Sequence, residues 1–248
     1  MHHESFGPTG GRPLLLLHGG GVAGWMWDPV RARLGDDLRV IVPDLPGHGA
    51  SATAPYVSHA ATADALARLL EGEVAGPATV AGFSLGAQLT VLLAAQRPDL
   101  VDDAVVISAQ AEPARATGPT LALLRATAGL AKNERFARLQ ARELFVPEDL
   151  LPAYLRTSAG ISRETLVTAV AENLRFTPPP AWSRFPGTAH ILVGEKEKPL
   201  MHRSAAALHR ALPHSTTAVV DGCGHGIPLQ RPEWLADLLR ARMHTPRD

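Results

Sequence analysis

The feature that most constrains the fold of this chain is the stretch TVAGFSLGAQ at residues 79–88. It reads as the end of a buried strand, a very tight turn and the first turn of a helix, with Ser84 at the tip. Gly82 and Gly86 complete the pattern G-x-S-x-G, and because glycine has no Cβ, the chain on either side of the serine can pass close by. Such a turn strains the serine backbone and holds the hydroxyl clear of the sheet, beside a helix N-terminus that favours negative charge. The alternative for so short a pattern is a glycine-rich turn whose serine caps the helix.

Short apolar runs and helical patterns alternate on both sides of this turn. The run LLLL at residues 14–17 is typical of a central parallel strand covered on both faces. Further strands are predicted at residues 38–42, 77–81, 101–108, 189–193 and 216–220, and helices at residues 28–34, 57–70, 85–96, 201–212 and 232–242. This alternation predicts an α/β fold, with a mostly parallel central sheet, right-handed crossovers and helices on both faces. His2 and His3 are interpreted as a disordered start.

The alternation breaks between about residue 111 and about residue 185, where no strand pattern is present. Four short helices are predicted there, at residues 121–130, 134–144, 147–156 and 163–173, and TPPP at residues 177–180 closes the segment as a stiff linker. Insertions between sheet strands commonly cover an active site. We therefore divide the chain into a core of residues 1–110 and 186–248 and a helical cap of residues 111–185.

The composition of the chain argues against several classes of partner and site. The chain has 248 residues, a formal net charge of zero and one cysteine, Cys223. The neutral balance predicts no nucleic-acid and no membrane-surface partner. A single cysteine excludes a disulfide within the chain and a cysteine-based zinc cluster, and Cys223 is interpreted as a small buried filler rather than a reactive thiol. With no apolar run of membrane-spanning length and no leader pattern, we expect a cytoplasmic monomer or homodimer that acts on a small molecule without a cofactor or metal.

Three polar residues are expected to converge. A serine hydroxyl is a poor nucleophile near neutral pH and needs a base within hydrogen-bond reach. Ser84, Glu197 and His225 each follow a different predicted strand. Because loops that follow parallel strands emerge at the same edge of the sheet, these side chains are predicted to meet, in the chain order Ser, acid, His.

A glycine-rich loop, HGGG at residues 18–21, follows the first apolar strand. Such a loop exposes unpaired backbone N–H groups that bind an anion or an oxyanion, and the P-loop pattern G-x-x-x-x-G-K-[ST] is absent. Trp25 and Trp27, just beyond it, either line a pocket or cover the sheet. His48, in a loop rich in Pro and Gly, is interpreted as a structural hydrogen-bonding residue rather than a catalytic one.

Together these motifs resemble the α/β-hydrolase superfamily over nearly the whole chain. The resemblance implies that Ser84 is the nucleophile, that His225 is the general base, and that the backbone N–H groups of Gly20 and Leu85 form the oxyanion hole. The motifs that carry it are LHG at residues 17–19, D-x-P-G-H-G-x-S at residues 44–51, G-x-S-x-G at residues 82–86 and GH at residues 224–225.

One position departs from the family pattern. The family most often has Asp about three residues after the glycine that follows its penultimate strand, and this chain has Glu197 there. Glu is longer by one methylene, but it can hold and stabilise an imidazolium equally well if the loop adjusts. Glu112 is the main alternative, because some members carry the acid after the earlier strand, and Glu195 and Asp221 are further candidates.

The resemblance implies a serine hydrolase that cleaves a carboxylic ester or lactone with apolar substituents through an acyl-enzyme at Ser84. Gly19, Trp25 and Phe83 are expected to line its substrate pocket. The alternative is a member of the fold without acyl transfer: a lyase, a C–C bond hydrolase, a cyclase or a small-molecule-binding protein. The glutamate in place of aspartate is the one feature that hints at this alternative.

Overall fold

The computed structural model describes residues 1–114, 117–127 and 133–244. Within these ranges seven strands form one sheet in the order β1-β3-β2-β4-β5-β6-β7. β1 is antiparallel to β3, and every other neighbouring pair is parallel, which confirms the expected α/β sheet. The strands are β1 His3–Phe6, β2 Arg12–Leu17, β3 Leu38–Pro43, β4 Ala78–Phe83, β5 Val101–Ile107, β6 Thr188–Gly194 and β7 Thr216–Val220.

Helices cover both faces of the sheet. The α-helices are α1 Asp28–Arg31, α2 His59–Glu73, α3 Leu85–Gln96, α4 Thr117–Thr127, α5 Glu134–Glu143, α6 Leu151–Gly160, α7 Arg163–Arg175, α8 Pro199–Ala211, α9 Ile227–Gln230 and α10 Pro232–His244. One apolar core joins the sheet to α2, α3 and α8, and a second joins its other face to α1 and α10. Within the described ranges, no helix combines the length and the hydropathy that a membrane span requires.

The expectation of a disordered N-terminal start is wrong. His3–Phe6 is an edge strand, not a disordered start, and it pairs with β3 from His3 opposite Pro43 onward. Side chains reinforce the pairing, because Glu73 lies 3.2 Å from the His3 ring nitrogen and accepts a hydrogen bond from the Ser5 hydroxyl. An edge strand has one partner and buries little of its surface, so it needs no apolar run that a sequence pattern would reveal.

Helices α4 to α7 lie between β5 and β6, where the sequence predicts four helices; we call them the inserted helices. The helix predicted at residues 121–130 begins four residues earlier, at Thr117, and residues 128–130 lie outside the described ranges. The helix predicted at residues 147–156 begins as a 3-10 turn at Glu148–Leu150 and continues as α6 to Gly160. α4 packs on α7, α5 packs on α6, and α7 reaches α3, the helix that follows Ser84.

Candidate active site

Ser84 sits at a strained turn between β4 and α3. Its φ of 53° and ψ of −109° fall in a region that residues with a side chain rarely adopt. The turn requires its two glycines, because a Cβ at Gly82 would lie 2.2 Å from the carbonyl oxygen of Gly86, and one at Gly86 would lie 2.3 Å from that of Leu17. The Ser84 side chain makes no helix-capping hydrogen bond, so the interpretation as a capping serine is wrong.

The Ser84 hydroxyl instead meets a histidine. Its Oγ lies 3.1 Å from Nε2 of His225, whose Nδ1 lies 2.8 Å from a carboxylate oxygen of Glu197. An ionised carboxylate only accepts hydrogen bonds, so Nδ1 carries the proton and the Nε2 lone pair faces the serine hydroxyl. The Phe83 ring packs against the imidazole, with 5.1 Å between ring centroids. This arrangement can withdraw a proton from the serine and stabilise the imidazolium that results.

Glu197 is held by three donors. Its Oε2 accepts from His225, while its Oε1 accepts from the Ser108 hydroxyl at 2.5 Å and from the Gly194 N–H at 3.0 Å. Burial raises the pKa of Glu197, but the hydrogen bonds from these three groups and the charge of His225 together outweigh it, and the pKa lies below its ordinary value. The carboxylate is therefore ionised at neutral pH.

The rival acids face elsewhere. Glu112 pairs with Arg203, whose Nε lies 3.2 Å from its carboxylate, and Glu195 accepts from the Gly222 N–H at 2.8 Å. Asp221 is exposed. Of the four candidate acids, the structure brings Glu197 to His225.

The loops that carry the acid and the histidine are joined to each other. The Lys196 N–H donates to the Cys223 carbonyl at 2.8 Å. A Cβ at Gly194 would lie 2.4 Å from the Gly224 carbonyl oxygen, so the two loops approach as closely as glycine allows. Cys223 itself is buried in the core, and burial raises the pKa of its thiol, in agreement with its interpretation as a filler.

His18 orients the glycine-rich loop. Its Nδ1 donates to the Gly19 carbonyl at 2.7 Å, and its Nε2 accepts from the Leu45 N–H at 2.9 Å. Burial, with the neighbouring His48, lowers the pKa of His18 to about 3, so the ring is neutral and this tautomer is maintained. Because the peptide is trans, turning the Gly19 carbonyl toward His18 directs the Gly20 N–H to the opposite side.

Two backbone N–H groups lie free beside Ser84. In the described parts of the chain, neither the Gly20 N–H nor the Leu85 N–H has an acceptor. A Cβ at Gly20 would lie 4.0 Å from the Leu85 side chain. Gly20, Ser84 and Leu85 all line the same cavity. The Leu85 N–H also belongs to the first turn of α3, where the helix dipole favours negative charge.

The cavity at Ser84 has a volume of about 360 Å³ and lies between the core and the inserted helices. Its described wall carries no Asp, Glu, Lys or Arg. Its larger apolar residues are Leu85, Leu124, Phe136, Leu144, Ile161, Leu166 and Val170, and its polar side chains besides Ser84 are His48, Gln140, Tyr154, Ser158 and Asn173.

The three residues expected to line the substrate pocket take other positions. Among the described residues that line the cavity, Gly19, Trp25 and Phe83 are absent. Trp25 donates from its indole to Thr157 at 2.9 Å and packs edge-on against Tyr154, which does line the cavity. A Cβ at Gly19 would lie 2.8 Å from the Phe83 ring, so these two residues pack on each other.

Contacts define the positions of Trp27, for which the sequence left two alternatives open, and of His48. Trp27 is fully buried and covers the sheet. His48 has the structural hydrogen bond expected of it, since its Nδ1 donates to the Pro46 carbonyl at 2.9 Å, and it also lines the cavity.

Ser108 belongs to the site but was not predicted from the sequence. It directly follows β5 and has a φ of 55°, which aims its hydroxyl at Glu197. The available signal was its position, because a polar residue at the end of the strand next to β4 and β6 lies at the same sheet edge as Ser84.

Several known proteins are similar to this chain over almost its full length. Lipase LipV of Mycobacterium tuberculosis is 29% identical over 273 residues, covering 98% of this chain and 97% of that protein. An esterase from Exiguobacterium antarcticum superposes with a TM-score of 0.83 at 20% identity, covering 98% of this chain and 95% of that one. A thermophilic esterase from Thermogutta terrifontis superposes with a TM-score of 0.79 at 24% identity, covering 98% and 94%. The family model described as "Alpha/beta hydrolase family" matches residues 14–238, so the chain belongs to the alpha/beta hydrolase family.

Proposed function

We propose that this protein is a serine-dependent carboxylic ester hydrolase, which cleaves an ester or lactone with apolar substituents through an acyl-enzyme at Ser84. The observation that carries the proposal is the unbroken hydrogen-bonded sequence Ser84–His225–Glu197 beside two free backbone N–H groups. The similarity over almost full length to a protein named a lipase supports the same reaction class.

Acylation begins when Nε2 of His225 removes the hydroxyl proton of Ser84 as Oγ bonds to the carbonyl carbon of the substrate. The carbonyl oxygen becomes an oxyanion and accepts hydrogen bonds from the N–H groups of Gly20 and Leu85. A donor of this kind contributes roughly 3 kcal/mol to the stability of the transition state. Glu197 stabilises the imidazolium, which then protonates the leaving oxygen, and the alcohol departs as the C–O bond breaks.

Deacylation follows the same path with water. His225 removes a proton from the water as its oxygen bonds to the acyl carbon, and the same two N–H groups hold the second oxyanion. Ser84 leaves with the proton that His225 returns, and the carboxylic acid is released. With a lactone, both ends stay in one molecule and the product is a hydroxy acid.

The cavity supports an apolar substrate. Its described wall is largely aliphatic and aromatic and carries no charged side chain, so burying an acyl chain there is favourable while burying a charged group is costly. The inserted helices supply most of this wall, and we propose that they act as the cap over the substrate.

The one sequence feature that favoured a function without acyl transfer no longer supports it. That hint was a glutamate at the usual aspartate position, and here Glu197 reaches Nδ1 of His225 at 2.8 Å despite its longer side chain. No contact of the described residues favours a lyase, a cyclase or a binding protein over an ester hydrolase.

The test combines a fluorophosphonate probe, mapped by peptide mass spectrometry, with hydrolysis of p-nitrophenyl butyrate. Ser84 is expected to carry the label, and Ser84→Ala and His225→Ala are expected to lose both labelling and hydrolysis. Ser183→Ala is the matched control, because Ser183 is exposed and its hydroxyl donates to the Pro180 carbonyl, its one partner among the described residues. Full esterase activity in Ser84→Ala would refute the proposal, and a folded protein that neither labels nor hydrolyses esters would favour the alternative.

A further inference from the structure

A line of hydrogen bonds runs from the start of α2 through α3 to the inserted helix α7. The Tyr56 hydroxyl lies 2.8 Å from Nδ1 of His59, and Nε2 of His59 lies 2.8 Å from Oε1 of Gln88. Nε2 of Gln88 then lies 2.8 Å from Oδ1 of Asn173. Tyr56, His59 and Gln88 are buried, so none of these groups exchanges its partner for bulk water at low cost.

The direction of this line follows from its neighbours. The Gln88 amide nitrogen also faces the backbone carbonyls of Gln110 at 2.8 Å and of Asn173 at 3.3 Å. Carbonyls only accept, so this atom is the NH₂ group and the other amide atom of Gln88 is the oxygen. His59 must therefore donate to Gln88 from Nε2, and its Nδ1 accepts from the Tyr56 hydroxyl. Burial lowers the pKa of His59, which agrees with this neutral tautomer.

The same reasoning orients Asn173. The atom that faces the Gln88 NH₂ group must be its oxygen, so its own NH₂ group is turned away from α3. Among the described residues, none accepts a hydrogen bond from Nδ2 of Asn173. Asn173 lines the cavity that contains Ser84, and Gln88 lies one helical turn, about 5–6 Å, beyond Ser84 in α3. The line of hydrogen bonds thus ends at a residue in the wall of the cavity that contains Ser84, with an NH₂ group that no described residue pairs.

The cavity selects the kind of acceptor. Its described wall contains no cation to balance a carboxylate, and an unpaired anion is expensive to bury. A neutral carbonyl oxygen has no such cost, and it satisfies the donor that an all-hydrocarbon chain leaves unpaired.

We propose that Asn173 is a specificity-determining residue, whose Nδ2 donates to a neutral oxo group on the acyl chain, several bonds from the scissile carbonyl. This inference rests on the proposed ester hydrolase function. It names the preferred substrate class as oxo-acyl esters over simple acyl esters of the same length.

The experiment compares p-nitrophenyl octanoate with its 5-, 6- and 7-oxo derivatives. For the unchanged protein, kcat/KM for at least one oxo ester should exceed that for octanoate by about tenfold. Asn173→Asp keeps the oxygen that accepts from Gln88 and replaces the NH₂ group with a second oxygen, so this preference should be lost. Asn173→Leu, whose side chain has the same branching, removes the donor without adding charge and should abolish the preference as well.

Gln140→Glu is the matched control, because Gln140 lines the same cavity and the change also converts an amide into a carboxylate. Its oxo preference should stay within about twofold of the unchanged protein. Hydrolysis of octanoate with no preference for any oxo ester would overturn this inference alone, as would a preference that Gln140→Glu abolishes and Asn173→Asp retains. Failure to hydrolyse any of the four esters while p-nitrophenyl butyrate is still hydrolysed would also overturn this inference alone. Failure with butyrate as well would overturn the proposed function, and this inference with it.

Discussion

Replacing Glu197 with glutamine tests the site most sharply, because both carboxylate oxygens have defined partners. Oε1 faces the Gly194 N–H, which can only donate, and also accepts from Ser108. The glutamine must therefore place its oxygen there, which turns its NH₂ group toward Nδ1 of His225. Nδ1 then has to accept and the ring proton moves to Nε2, where it faces the Ser84 hydroxyl. A histidine in that tautomer cannot take the serine proton.

The expected loss is large. The equivalent change of acid to amide in a serine–histidine–aspartate triad lowers kcat by about 10⁴ because it imposes the wrong tautomer. Applied to the contacts of Glu197, this gives a fall of about 10⁴ in kcat for Glu197→Gln, or roughly 5.5 kcal/mol in transition-state stabilisation. The fall in kcat is measured by the hydrolysis of p-nitrophenyl butyrate at pH 7.5 and by the rate of fluorophosphonate labelling. Circular dichroism checks that the variant is folded.

Glu112→Gln is the matched control. Its carboxylate pairs with Arg203 at the surface, and surface ion pairs contribute little, so its kcat should stay within about twofold of the unchanged protein. Folded Glu197→Gln that retains more than about a tenth of the activity would contradict this role of Glu197, as would a loss in Glu112→Gln as large as that in Glu197→Gln.

Three further changes have defined outcomes. The folded protein keeps His18 neutral down to about pH 3, whereas the unfolded chain protonates it below about pH 6.5. The free energy of unfolding should therefore fall on acidification, by roughly 3 kcal/mol from this residue at pH 4. In urea titrations, the free energy of unfolding of His18→Gln should depend less steeply on pH than that of the unchanged protein. An equally steep dependence would contradict this. Gly86→Ala should unfold at markedly lower temperature, because its Cβ would lie 2.3 Å from a carbonyl oxygen, whereas Gly72→Ala, in open space on α2, should be stabilised by about 0.5–1 kcal/mol; equal melting temperatures would contradict the steric account. Ser108→Ala should lower kcat/KM about tenfold by removing one of the hydrogen bonds to the Glu197 carboxylate, and unchanged kinetics would show that Ser108 does not position the acid.

The local sequence pattern was sufficient to predict the parallel sheet and the turn at Ser84. The run at residues 14–17 and the alternation that follows it predict a parallel sheet, and the G-x-S-x-G pattern predicts the turn at Ser84, because steric limits on two glycines act over five residues. Parallel strands place the loops that follow them at one edge, so the meeting of Ser84 with His225 was also accessible from the chain order.

The tertiary structure decided what depends on contacts between distant segments. Glu112 and Glu197 both follow parallel strands, and only the packed structure shows that Glu112 meets Arg203 while Glu197 meets His225. The edge strand β1 has no pattern of its own, because its pairing with β3 and Glu73 comes from elsewhere in the chain. The cavity wall likewise belongs to the inserted helices, whose periodicity shows that they are helices but not which face meets Ser84. Periodicity is a property of neighbouring residues, whereas the direction of the Asn173 amide is set by a buried glutamine 85 residues away, which no local pattern encodes.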